Sequence, residues 1–321
     1  MPVGNSDRGV GLWAGQVMFS LDNINQYIDW WHEAVPGSGE TFDHSGTLTS
    51  LIFSPTVTIG LSNYWNMTIS QQIGTRIMTW KGDTTTIHHR NENSLSDFTN
   101  AFGGLFGDTE VIFRYLIHND GKGTGKRFFL GGGIVFPSKN TITKDPFFLN
   151  GEEKGDHRHF SMSEGSYKGT IESQYYKKRD TNPVFIGGSL KTSVPISENE
   201  YGYKSSILYL ATLTALTKEL SSLKVSLGGS FSFRQTTKAF WNNKPAPNSA
   251  STIITFGGSL LYNTNIGSIG FSLQKPIFLY GGIAGTEAEN IDQRMDAVQL
   301  SLSYRKLLNF VIPWIDPLKG L

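Results

Sequence analysis

The chain has 321 residues, of which 38% are hydrophobic and 17% charged, with a formal net charge of +1 and no cysteine. A near-neutral balance excludes a nucleic-acid binder, which needs a basic field to neutralise phosphates. The lack of cysteine excludes a disulfide framework and a thiolate metal site. No apolar run approaches the roughly 20 residues of a membrane helix; the longest, 207–216, is interrupted by Thr212 and Thr214.

The remaining choice lies between two soluble domains and one large barrel. Residues 1–11 hold no basic stretch ahead of an apolar core, so a secretory signal is expected to lie outside this sequence. A first strand is expected over 10–21, with Trp13, Val17, Phe19 and Leu21 on one face. Residues 22–46, which include Trp30, Trp31 and His32, read as a long loop with one helical turn near 24–33.

Residues 47–80 carry the clearest pattern. Leu51, Phe53, Pro55, Val57, Ile59 and Leu61 alternate with Ser54, Thr56, Thr58 and Gly60. After a turn at 62–65, Met67, Ile69, Ile73 and Ile77 alternate with Thr68, Ser70, Gln72 and Arg76. Period-2 alternation places two different media on the two faces of a sheet. Ten steps of roughly 3.3 Å span about 33 Å, and a tilt of about 40–45° leaves roughly 25 Å of height, the apolar band of an outer-membrane barrel. Soluble sandwiches also alternate, but their strands are usually about 5–6 residues long.

A loop over 81–108 leads to strands at 109–118 and 127–136, and a loop over 137–165 to strands at 166–176 and 184–194. Strand eight, 205–217, has two apolar faces and also reads as a short helix. Strands at 223–235, 252–262, 268–280 and 296–304 complete the set, with a bulge expected at Lys275-Pro276. Connections are long after odd strands and short after even ones, as extracellular loops and periplasmic turns require. The expectation is an all-β transmembrane antiparallel barrel of about 12 strands over 1–306, with a periplasmic tail over 307–321.

Gly107-Asp108-Thr109-Glu110 runs into the strand 111–115. A Gly-rich strand, 129–136, and then Pro137-Ser138 follow. Together they resemble the outer-membrane transporters of the phenol-degradation meta-pathway type, distant relatives of the long-chain fatty-acid channels. The resemblance implies passive uptake of small hydrophobic or aromatic compounds across the bacterial outer membrane, with lipid and a small solute as partners and no cofactor.

A barrel this wide has a lumen that side chains need not fill. The inward positions carry Arg76, Glu110, Arg114, His118, Lys168, Glu172, Lys191, Lys224, Arg234 and Arg305, a basic surplus that alternatively suits an anion-preferring porin. Trp30, Trp31, Phe102, Phe106, Phe147, Phe148 and Trp241 give the loops an aromatic site or plug. His88, His89, His157 and His159 on the loops suggest metal binding, since neutral imidazoles ligate divalent ions. The remaining class is an outer-membrane lipid hydrolase. No Gly-x-Ser-x-Gly elbow occurs, and His118-Asn119 falls on the inward face near a short turn, so no enzyme is expected.

Overall fold

The computed structural model describes residues 11–34, 40–83, 86, 91–95, 104–121, 123–144, 161–246, 249–281 and 291–315. Twelve strands form one antiparallel ring: β1 Gln16–His32, β2 His44–Gly60, β3 Trp65–Trp80, β4 Phe106–Asn119, β5 Gly125–Phe136 and β6 Lys168–Lys178. The others are β7 Phe185–Pro195, β8 Leu208–Leu216, β9 Val225–Thr236, β10 Ser251–Thr264, β11 Gly267–Tyr280 and β12 Gln293–Val311. Each pairs with its chain neighbours, and β1 pairs with β12, which closes the barrel. Among the described residues there is no helix.

The distribution of side chains is that of a soluble protein turned inside out. Leu51, Phe53, Val57, Phe113, Ile171, Leu190 and Phe271 are exposed on the outer face, while Ser20, Thr58, Thr68, Glu172, Gln174 and Ser301 are buried on the inner one. Such a wall is stable only with hydrocarbon outside it, because closure leaves no unpaired strand edge and alternation keeps polar groups off the lipid. Five short turns, 61–64, 120–124, 179–184, 217–224 and 265–266, mark one rim. The start of β1 and the end of β12 lie on that same rim, and the longer connections leave the other.

Several elements differ from expectation. Residues 22–32 continue β1 as strand. There the polarity inverts: Ile28 and Trp30 point inward and pack with Met78 and Ala297, while Asn23 and Asn25 occupy outward register positions opposite Leu302 and Leu300. β12 runs on to Val311, so 307–311 belong to the barrel instead of a tail. β8 is strand, its Leu208 and Leu210 turned into the lumen.

The bulge expected at Lys275-Pro276 falls instead where Thr252 pairs with Tyr280 and Ile253 with Phe278, skipping Leu279. Proline has no amide hydrogen to donate. The β11–β12 ladder accordingly ends at the Gln274–Gln299 pair, just before Pro276.

Two glycines admit aromatic rings at opposite ends of the lumen. A Cβ at Gly46 would meet Trp30 at 2.4 Å, and one at Gly187 would meet the Tyr176 ring at 2.1 Å. Gly187→Ala is therefore expected to destabilise the barrel by about 1–3 kcal/mol through overpacking. Gly169→Ala, with nothing within 4 Å of the new carbon, is the comparison that isolates the clash. Urea unfolding midpoints of the two variants in the same lipid check this.

Candidate functional site: the barrel lumen

The inward faces enclose a cavity of about 520 Å³. One side of it, built from β3 to β7, is a neutral charge network. The Arg114 guanidinium pairs through Nε with Glu172 and donates through Nη1 to Thr68 Oγ1 at 2.6 Å. Lys191 Nζ reaches both Glu110 oxygens at 2.6 and 2.7 Å, and Gln174 Nε2 donates to Glu172 at 3.1 Å. Two cations meet two anions here, so the network contributes fixed dipoles and little net field.

The other side, β8 to β11, mixes polar and apolar groups: Leu208, Leu210, Ile253 and Pro276 line it among Thr212, Thr214, Ser230, Ser232, Thr255, Gln274 and Arg234. Arg234 opens into the lumen, and its cross-strand partners are Leu210 and Ile253. It makes no hydrogen bond or ion pair among the described residues. Arg76, from β3 near the long-loop rim, donates through Nη1 to Ser161 O at 3.0 Å. Lys168 pairs with Glu164. Arg305 is buried near the short-turn rim.

Part of the lumen floor is greasy, and Ser20, Thr58, Asn66 and Arg305 are buried at the same short-turn end. Leu116, Phe129 and Tyr176 form one buried cluster with Phe185 against it, and Leu216 and Leu261 form another that shares Phe185. All of these lie at the short-turn ends of their strands. The chain before β1 adds to the seal: Leu12 is 2% exposed, and a Cβ at Gly11 would lie 3.8 Å from Phe129. At the opposite rim Ile28, Trp30, Met78 and Ala297 pack with Trp80, Phe278 and Met295.

Two residues expected in the lumen are elsewhere. β4 slips register between Leu116 and His118, which turns His118 to the outer side. There it is 56% exposed and bonded to Asp120 Oδ1 at 2.6 Å. Lys224 occupies the β8–β9 turn at φ 54°, exposed to solvent.

The expected loop aromatic site is dispersed among the described residues. Trp30 is in the lumen, Trp31 is at an outward position of β1, and Phe106 is 62% exposed at the start of β4. Trp241 is buried against Tyr203, 5.3 Å between rings, where the short strands Tyr203–Lys204, Phe240–Trp241 and Lys244–Pro245 pair the two loops after β7 and β9. Phe102, Phe147 and Phe148 lie outside the described residues, as do His88, His89, His157 and His159, on which the metal reading rested. Lumen residues that the sequence pattern does not reveal include Asp22 and Gln26, because 22–46 reads as loop, and Gln274.

The β4–β5 turn carries one titration worth testing. The Asp120 carboxyl accepts from the Lys126 backbone N–H at 2.8 Å and from His118, and these two hydrogen bonds, the first the larger, hold it below the usual carboxylate range. A depressed folded value means that its stabilisation is present above the unfolded value near 3.9 and is lost as pH falls through the folded one. Asp120→Asn is expected to remove that acid-side dependence, read from the Lys126 amide shift between pH 2 and pH 5.

Among solved structures, an outer membrane channel from Pseudomonas putida F1 superposes with a TM-score of 0.64 at 11% identity, over 96% of this chain and 100% of that one. The chain is an outer-membrane β-barrel. Looser likenesses extend to the translocator domain of the autotransporter NalP from Neisseria meningitidis, TM-score 0.38 at 8% identity over 94% and 90% of the two chains. A mutant of the TodX monoaromatic hydrocarbon channel gives 0.39 at 8% over 92% and 91%. No protein-family model matches the chain, and no curated protein matches its sequence. With the fold fixed, the long connections are extracellular loops, the short turns are periplasmic, and the apolar cluster lies at the periplasmic end.

Proposed function

We propose that this barrel is a passive channel for small hydrophobic or aromatic compounds, which cross the outer membrane through its lumen. One observation carries the reading: a cavity of about 520 Å³ with an aliphatic strip of Leu208, Leu210, Ile253 and Pro276 leads to a buried apolar cluster of Leu116, Phe129, Tyr176 and Phe185 at its short-turn end. A constriction of this kind repels ions by dewetting, because an ion must shed water to enter it. An apolar solute loses nothing there. The floor thus selects for greasy cargo over salts, as the resemblance to the phenol-degradation transporters implies. The reading makes the chain a conduit with no catalytic step, its partners being the solute and the surrounding lipid.

The test is uptake of a labelled small aromatic alcohol by intact Gram-negative cells that lack their own general porins, with and without this barrel. A severalfold faster initial rate is expected. An unchanged rate, with the barrel folded in the outer membrane, overturns the proposal.

A further inference from the structure

The two sides of the lumen treat charge differently. On β4, β6 and β7 every cation named above has its carboxylate: Arg114 has Glu172 and Lys191 has Glu110. On β8 to β10 a single guanidinium, Arg234, stands between Leu210 and Ile253, with Leu208 and Pro276 lining the same side of the cavity. Glu164 is the acid whose charge Arg234 feels, and its carboxylate is already taken by Lys168. Arg76 adds a second positive field from β3 and repels Arg234 across the upper lumen.

A guanidinium among aliphatic side chains presents a planar, bidentate donor beside a surface that water wets poorly. The ligand that satisfies both has an anionic head of two oxygens and an apolar body. We propose that Arg234, with the wall of Leu208, Leu210, Ile253 and Pro276, forms a binding site for amphipathic carboxylates, in which the carboxylate takes the guanidinium and the apolar body lies along that wall. The inference rests on the lumen being the solute's path, and it names a ligand class that the cavity above the floor holds as the anion.

The geometry separates this site from general anion preference. A bare small anion gains only the guanidinium, and an alcohol of the same skeleton gains only the wall. Neither the Arg114 nor the Lys191 pair competes, because each cation is already held by a carboxylate, Arg114 in a buried pair.

Titration calorimetry on the full-length barrel in lipid nanodiscs, with empty nanodiscs as reference, tests the site. The probes are 4-phenylbutyrate, 4-phenylbutan-1-ol and acetate. The carboxylate is expected to bind at least tenfold tighter than either of the others. Arg234→Gln is expected to erase the preference of acid over alcohol, and Arg234→Lys to retain part of it. Leu210→Ser is expected to weaken acid and alcohol together and so leave their ratio intact. Each variant is taken forward only if it keeps the heat-dependent gel mobility of a folded barrel.

Equal affinity for acid and alcohol in the unaltered protein, or a preference that survives Arg234→Gln, overturns the site. Acetate binding as tightly as 4-phenylbutyrate reduces it to a simple anion site, which also overturns the proposal. The cellular uptake assay is independent. Alcohol uptake without acid preference removes the Arg234 site and leaves the channel, and acid preference without uptake does the reverse.

Discussion

Glu172→Leu is expected to cost the barrel about 3–5 kcal/mol, the scale seen when one partner of a buried ion pair is removed. Glu172 is 4% exposed and Arg114 6%. With the carboxylate gone, Arg114 keeps its bond to Thr68 but loses the carboxylate it pairs with in the wall, and Gln174 loses an acceptor. The double variant Arg114→Met/Glu172→Leu takes both charges away, and most of the loss should return, because an apolar pair of similar volume is often neutral or better. A coupling energy of several kcal/mol in that cycle, from urea unfolding in a fixed lipid, is the expected result. If the double variant is as unstable as Glu172→Leu, the cost lies in the lost shape of Glu172, and the charge network is not what holds β4 to β6.

That network shows how far the amino-acid pattern alone reaches. Inward Arg114 and Glu172 follow from strict alternation, since Val111, Phe113 and Tyr115, like Ile171 and Tyr175, leave only one face for them. Their pairing follows as well once β4, β5 and β6 are adjacent, with Gly131 between: a Cβ there would meet both side chains at 3.0–3.1 Å. The upper half of β1 was illegible for a physical reason. Its outward Asn23 and Asn25 look like loop residues because the usual cost of an amide on a lipid-facing wall is avoided locally. Asn25 Nδ2 donates to Asn23 Oδ1 at 2.7 Å, and Asn23 Nδ2 donates to Ile52 O at 3.3 Å.

His118 misled for a different reason. A register slip of one residue turns a side chain to the other face, and nothing in Leu116-Ile117-His118 marks it. The isolation of Arg234 was equally hidden. It depends on which residues β8 and β10 place beside it, and that register is a property of the closed ring.

Phe129→Ser should convert a barrel that resists ions into one that passes them. Phe129 is 2% exposed and packs with Leu116, Tyr176 and Phe185 at the periplasmic end, where Leu12 adds a further apolar side chain. An ion that passes beside this cluster loses water against apolar side chains, at an effective cost of several kcal/mol. Each ~1.4 kcal/mol is a factor of ten in rate, so a wetted floor is expected to raise potassium chloride conductance in planar bilayers by about a hundredfold. The substitution also costs about 3–5 kcal/mol of packing, and Phe129→Ala provides the control, since it makes a similar void without a hydroxyl. Conductance that rises with Ser and much less with Ala locates the barrier in the dryness of the floor. An equal rise with both makes the barrier one of width, and unaltered protein that conducts as freely as the Ser variant shows that the floor is no seal.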